Sequence, residues 1–143
     1  MMLMASMEMN IEVPVYPERV YRAWLDGAEQ RRITGHDAFV QPWVGGEFRG
    51  WDGKVRGIFL TLIPHTLIRQ TWVLPDFSLD EPSTLELHLA PTCTGCELRI
   101  RHQGVPISLT RNVMVWWEGA YLRPLRVYFD ALVGDYVADM SDG

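Results

Sequence analysis

The sequence predicts an α+β domain in which a curved, seven-stranded antiparallel sheet wraps around one long C-terminal helix, with two short helices after the first strand. Three observations carry that expectation. Residues 8–15 alternate Met9, Ile11 and Val13 against Glu8, Asn10 and Glu12, the period of a half-buried strand. Between Ala38 and Gln103, short apolar runs are separated by tight-turn signals, and residues 112–134 then carry a long helical stripe. The 143 residues suit one domain, 1–143 with its structured core over 8–134, since domains usually run to about 100–200 residues.

Pro14 and Pro17 close the first strand, and Pro17 also fits the first turn of a helix. Val20, Tyr21, Trp24, Leu25 and Ala28 fall at helical spacing over 17–28, and a second short helix is expected over 29–34. Its polar face carries Glu29, Arg31 and Arg32, expected to be solvated. The turn signals Gly45-Gly46, Asp52-Gly53, Pro64-His65 and Thr94-Gly95 then delimit strands near 38–44, 47–51, 54–63, 66–74, 84–92 and 96–103. The last helix places Val113, Trp117, Ala120, Tyr121, Leu125, Tyr128 and Leu132 on one stripe, with Pro124 predicting a bend. Asp135 to Gly143 is acidic, rich in small residues, and expected to fray.

A two-residue Thr94-Gly95 turn would set Leu87 opposite His102, Leu89 opposite Ile100 and Pro91 opposite Leu98. His102 then points inward with the leucines, and His88 points out. The same logic through the earlier turns puts Phe48, Val55, Gly57, Phe59, Gln70 and Trp72 on one face. Ile58, Leu60, Leu62 and Leu67 would share the other with Arg49, Arg56 and Arg69, so a bulge is expected to swap the faces near residue 61.

With 48% hydrophobic and 22% charged residues the composition is that of an ordinary globular chain. A net charge of -5 argues against a phosphate-backbone partner, so no nucleic acid is expected. The N-terminal Met1-Met2-Leu3-Met4 lacks the basic flank and apolar run of a secretory signal, and no stretch reaches the ~18 apolar residues of a membrane span, which places the protein in the cytoplasm. The anomaly is aromatic: six Trp, five Tyr and five Phe exceed what a small core needs to close. A bent sheet cannot meet a straight helix evenly along its length, so an apolar pocket walled by rings is expected between them.

Gly45-Gly46-Glu47-Phe48, Trp51-Asp52-Gly53-Lys54-Val55-Arg56-Gly57-Ile58-Phe59, Leu62-Ile63-Pro64, Ile68 to Trp72 and Pro82-Ser83-Thr84-Leu85 occur in that order. The Gly95 to Leu98 hairpin, His102-Gln103-Gly104-Val105-Pro106 and Trp116-Trp117-Glu118-Gly119-Ala120-Tyr121-Leu122-Arg123-Pro124-Leu125 follow. Together these runs resemble the family named for the activator of heat-shock-protein-90 ATPase, over residues 9–133. The resemblance implies the helix-grip fold of the START and birch-pollen-allergen (SRPBCC) superfamily, whose members hold lipids, steroids or polyketides between sheet and helix, some as cyclases or hydrolases. It also implies a chaperone contact as an alternative, although the N-terminal half of the eukaryotic activator has no counterpart here.

The expected role is binding of an apolar or aromatic small molecule, without cofactor, by a monomer or homodimer. Trp24, Phe48, Phe59, Trp72, Leu87, Trp117 and Tyr121 are the candidate walls, with Gln70 and His102 for orientation. The same rings have the alternative of packing on one another. His102 is either a core histidine bonded to a carbonyl or an acid/base group in a cyclase or hydrolase, and His36-Asp37 either a base with its orienter or a helix-ending turn. Cys93 and Cys96 lack two further ligands for a metal, leaving hairpin-flanking thiols or a cross-strand disulfide.

Overall fold

A computed structural model describes residues 3–74 and 82–141, with side chains as far as 134. Strand β1 (Met4–Val13) leads to helices α1 (Pro17–Trp24) and α2 (Gly27–Thr34). Strands β2 (Phe39–Val40), β3 (Glu47–Gly50), β4 (Val55–Ile63), β5 (Leu67–Trp72), β6 (Ser83–Pro91) and β7 (Cys96–Pro106) follow. Helix α3 (Thr110–Trp117) runs through a π turn (Glu118–Leu122) into α4 (Arg123–Ser141). The described strands form one antiparallel sheet in the order β1-β7-β6-β5-β4-β3-β2, so the chain's first strand pairs with its last. The sheet curves around the C-terminal helix, and the core lies between them: Val113, Trp117, Tyr121, Leu125 and Phe129 from the helix meet the inward alternation of every long strand.

Several boundaries move for local reasons. β1 begins at Met4, because its first residues gain partners in β7 out to Pro106. The expected strand 38–44 shrinks to Phe39–Val40, since Pro42 offers no N–H and the chain instead makes turns from Gln41 to Gly46. The helix expected over 17–28 stops at Trp24, because the Asp26 side chain accepts the Glu29 N–H at 3.1 Å and starts a second helix, which left-handed Gly35 ends. α4 continues to Ser141, beyond the expected 134, while the side chains of the acidic end lie outside the described residues.

The swap of faces near residue 61 is present. Leu60 is the extra residue of a bulge: Phe59 faces Gln70 before it, and Thr61 faces Arg69 after it, which turns Leu62 inward. The β6–β7 register differs from expectation by two residues. A four-residue loop, Thr92 to Gly95, is closed by the Thr92 N–H on the Gly95 carbonyl at 3.0 Å. His102 therefore opposes Leu85, while Leu87 opposes Ile100. An even shift preserves which face each residue occupies, so His102 still points inward and His88 outward.

Pro124 acts upstream of itself. It has no N–H to give the Ala120 carbonyl, and the helix widens into the π turn that ends at Leu122. The additional residue sets the helix phase back by about 100°. Phe129 therefore faces the core where unbroken spacing put Tyr128, which is half-buried; Leu132, one turn further on, is exposed. No helix among the described residues is long and apolar enough to cross a membrane.

Candidate functional site

All nine candidate site residues are buried. Six of them gather around a seventh, Trp72 of β5. Its ring centroid lies 5.0 Å from Trp117, 5.7 Å from Phe48 and Tyr121, 6.3 Å from Trp24 and 6.4 Å from His102. Trp24 stacks on Phe48 at 5.4 Å and Gln70 binds Trp24 from the neighbouring position on β5. Phe59 joins only through its edge contact with Phe48 at 6.1 Å, and Leu87 lies farther along β6, between Ile68 and Ile100. Among the described residues the expected walls touch one another: Phe48, Trp72, Trp117 and Tyr121 are each 0% exposed. Trp116, which composition and spacing left among the family motifs, also belongs. It contacts Trp72, Trp117 and Tyr121 at 5.6–6.2 Å, and it keeps partial exposure at the rim.

His102 is locked in one tautomer by its neighbours. The Trp117 Nε1–H donates to His102 Nδ1 at 3.1 Å. The Ser83 hydroxyl donates to the Trp72 carbonyl at 2.7 Å, so the 2.7 Å contact between Ser83 Oγ and His102 Nε2 must be donated by the imidazole. Burial pushes the His102 pKa down to about 4, consistent with a neutral ring. Both nitrogens are occupied, by an indole and a hydroxyl and not by the expected carbonyl; a proton-transfer role would require breaking this chain of bonds.

The surrounding polar groups are less complete. Gln70 Oε1 accepts from the Trp24 Nε1–H at 2.9 Å, which fixes the amide orientation and leaves Gln70 Nε2 facing the interior. Among the described residues Gln70 Nε2, Trp72 Nε1 and Tyr121 Oη are buried without a hydrogen-bond partner, as is Trp51 Nε1 outside the ring network. Burial drives the Tyr121 phenol far above its ordinary pKa, so it stays protonated. Two glycines make room for these atoms. A Cβ at Gly50 would stand 2.6 Å from Tyr121 Oη, and one at Gly57 would stand 2.0 Å from the Thr71 carbonyl and 3.4 Å from Gln70 Nε2. Gly57 opposes Phe48, with Gly50 two residues beyond Phe48 on β3, so both glycines lie under the same rings.

Glu29 corrects the expectation of a solvated charge. It is only 5% exposed and receives both Arg19 guanidinium nitrogens, one at 2.6 Å, and the Tyr128 hydroxyl at 2.7 Å. Burial alone would raise its carboxyl, but the bonds from Arg19 and Tyr128 and the charge of Arg32 reverse this and hold it below the usual range. One carboxylate thus ties α1, α2 and α4 together. His36 also differs from expectation. Its partner is Asp52, at 2.8 Å from Nδ1, whereas the Asp37 side chain faces Arg31 and only its backbone bonds Asp52. The His36 ring stacks on Trp51 at 3.9 Å, on a turn where Trp51 and Asp52 both adopt positive φ. The bond from His36, then the Asp37 N–H, hold the Asp52 carboxyl below its ordinary value.

Cys93 is exposed in the β6–β7 loop and Cys96 buried at the start of β7; both are free thiols, and burial pushes Cys96 up to about 11. Among the described residues no three His, Cys, Asp or Glu side chains are gathered as metal ligands.

Comparison with known proteins matches this architecture. Residues 14–130 fit the family described as activator of Hsp90 ATPase homolog 1-like protein. The mouse protein "Activator of 90 kDa heat shock protein ATPase homolog 2" is 24% identical over 109 residues, which cover 76% of this chain. The match spans 33% of the mouse protein, so this chain corresponds to about a third of it. An HSP90 activator from Plasmodium falciparum superposes with a TM-score of 0.77 at 22% identity, over 86% of this chain and 94% of that one. Protein CV1439 from Chromobacterium violaceum superposes with a TM-score of 0.70 at 27% identity, over 87% and 96% of the two chains. With the sheet order, the long closing helix and the family match over most of its length in agreement, the chain belongs to the activator of Hsp90 ATPase homolog 1-like family.

Proposed function

We propose that the protein binds a small apolar or aromatic molecule between the sheet and the C-terminal helix, within the ring network around Trp72, and performs no chemistry on it. The observation that carries this is the group of three unpartnered buried polar atoms, Gln70 Nε2, Trp72 Nε1 and Tyr121 Oη. Each such atom costs about 1–3 kcal/mol, in a domain whose whole stability is on the order of 5–15 kcal/mol. An occupant that accepts these bonds recovers that cost on binding. Because the rings already touch, it must displace one of them. Trp116 is suited to move, since part of it already meets solvent.

Native mass spectrometry of freshly purified protein tests the proposal. A bound mass of a few hundred daltons, lost on denaturation, is expected. Bare protein, with no thermal shift across a library of aromatic compounds, would overturn it.

A second function is favoured by the names of the mouse and Plasmodium relatives: contact with a 90-kDa heat-shock chaperone. The outer face of β2–β4 supports it. Phe39, Ile58 and Leu60 are exposed there beside Arg49 and Arg56, and Arg49, Arg56, Ile58 and Thr71 line a groove of about 270 Å³. The expected result is stimulation of the chaperone's ATPase that Arg56→Glu with Ile58→Asp abolishes. An unchanged ATPase rate would remove this function and leave the interior proposal intact.

A further inference from the structure

We infer that the occupant of the ring network is a neutral, planar aromatic molecule bearing a hydrogen-bond-accepting oxygen, such as a ketone or quinone carbonyl; this rests on the interior-binding proposal. The unpartnered groups decide the polarity. An indole N–H and an amide nitrogen can only donate, and the buried phenol of Tyr121 has a proton to give. Gln70 cannot offer its oxygen instead, because Trp24 already occupies it. Of the side-chain acceptors in the network, His102 Nδ1 already receives Trp117, and Ser83 Oγ already receives the imidazole while its own proton goes to the Trp72 carbonyl. The network is therefore rich in donors and short of acceptors.

Charge is decided by what the network lacks. Its members are Trp24, Phe48, Gln70, Trp72, His102, Trp116, Trp117 and Tyr121, with no ionised side chain among them. The nearest buried carboxylate described, Glu29, is already bonded to Arg19 and Tyr128. A carboxylate or ammonium entering here would be an uncompensated buried charge. Shape follows from the stacking. Trp24 lies 10° from parallel with Phe48, and Trp72 lies 23° from parallel with Trp117, so a flat ring system extends existing stacks. Gly50 and Gly57 keep the sheet side of those stacks free of β-carbons where Tyr121 Oη and Gln70 Nε2 reach.

The test uses three probes on one ring skeleton: fluorene, 9-fluorenone and 9-fluorenone-4-carboxylate, measured by equilibrium dialysis against the full chain. Fluorenone is expected to bind about tenfold tighter than fluorene, since one net hydrogen bond is worth about that factor. The carboxylate is expected to bind at least tenfold weaker than fluorenone. In Tyr121→Phe the preference for fluorenone over fluorene should fall towards unity, and Gln70→Met provides the same readout if the first variant melts early. Equal binding of fluorene and fluorenone, or preference for the carboxylate, overturns the inference while interior binding stands. Binding of none of the three, together with bare protein in native mass spectrometry, removes the interior proposal and this inference with it.

Discussion

Two polar centres are buried, one among the helices and one between the sheet and the C-terminal helix, and they are built on opposite terms. At one, Glu29 joins α1, α2 and α4: each carboxylate oxygen receives a donor from Arg19, and Oε2 also receives the Tyr128 hydroxyl. At the other, the ring network completes the chain from Trp117 through His102 and Ser83 to the Trp72 carbonyl, yet leaves three donors unanswered. A fully partnered centre holds elements in place. A partly partnered one leaves donors free, and it is these that the proposed binding would use.

The largest expected effect on this contrast comes from removing the hub. Trp72→Ala should lower stability by about 3–5 kcal/mol in chemical denaturation, because six ring contacts lose their common partner. Acid should act through His102. Its folded pKa, about 4, lies below the ordinary 6.5, so the unfolded chain takes up a proton that the folded chain refuses. The neutral ring's full contribution is present above pH 6.5, and about 3 kcal/mol is lost as pH falls from there towards 4. Urea titrations across that window check the slope, and His102→Gln should flatten it.

Breaking the complete centre should cost less than either. Glu29→Ala leaves Arg19 and the Tyr128 hydroxyl without their acceptor, and should lower stability by about 2–3 kcal/mol; Arg19, at 22% side-chain exposure, partly recovers by meeting water. The smallest effect has the opposite sign and sharpens the comparison most. Tyr121→Phe removes an unpartnered hydroxyl from the incomplete centre, so the ligand-free protein should gain about 1 kcal/mol, read as a raised melting temperature. A loss there would mean that the hydroxyl is bonded after all.

Alternation and turn residues were sufficient to find seven strands, to turn His102 inward and to place the swap of faces beside residue 61. They were insufficient for the β6–β7 register, because loops of two and of four residues preserve the same faces and differ only in which pairs meet. Helical spacing found Trp117 and Tyr121 but named Tyr128 over Phe129, since the phase change arises in a π turn that Pro124 imposes from outside it. Glu29 was invisible as a buried group because its partners, Arg19 and Tyr128, come from two other helices. The signal that could have found Trp116 was its place beside Trp117, which helical spacing alone assigns to a different face.

By itself, the order of apolar, polar and turn residues determined that this chain is a sheet closed by a helix, and which side chains point between them. Those are properties of single elements, set by the two-residue period of a strand and the 3.6-residue period of a helix. Only the tertiary structure decided that the expected pocket walls meet one another, that Asp52 rather than Asp37 holds His36, and that three donors in the interior go unanswered. Each of these depends on distances between segments far apart in the chain, and no local pattern encodes whether two buried groups end within bonding reach.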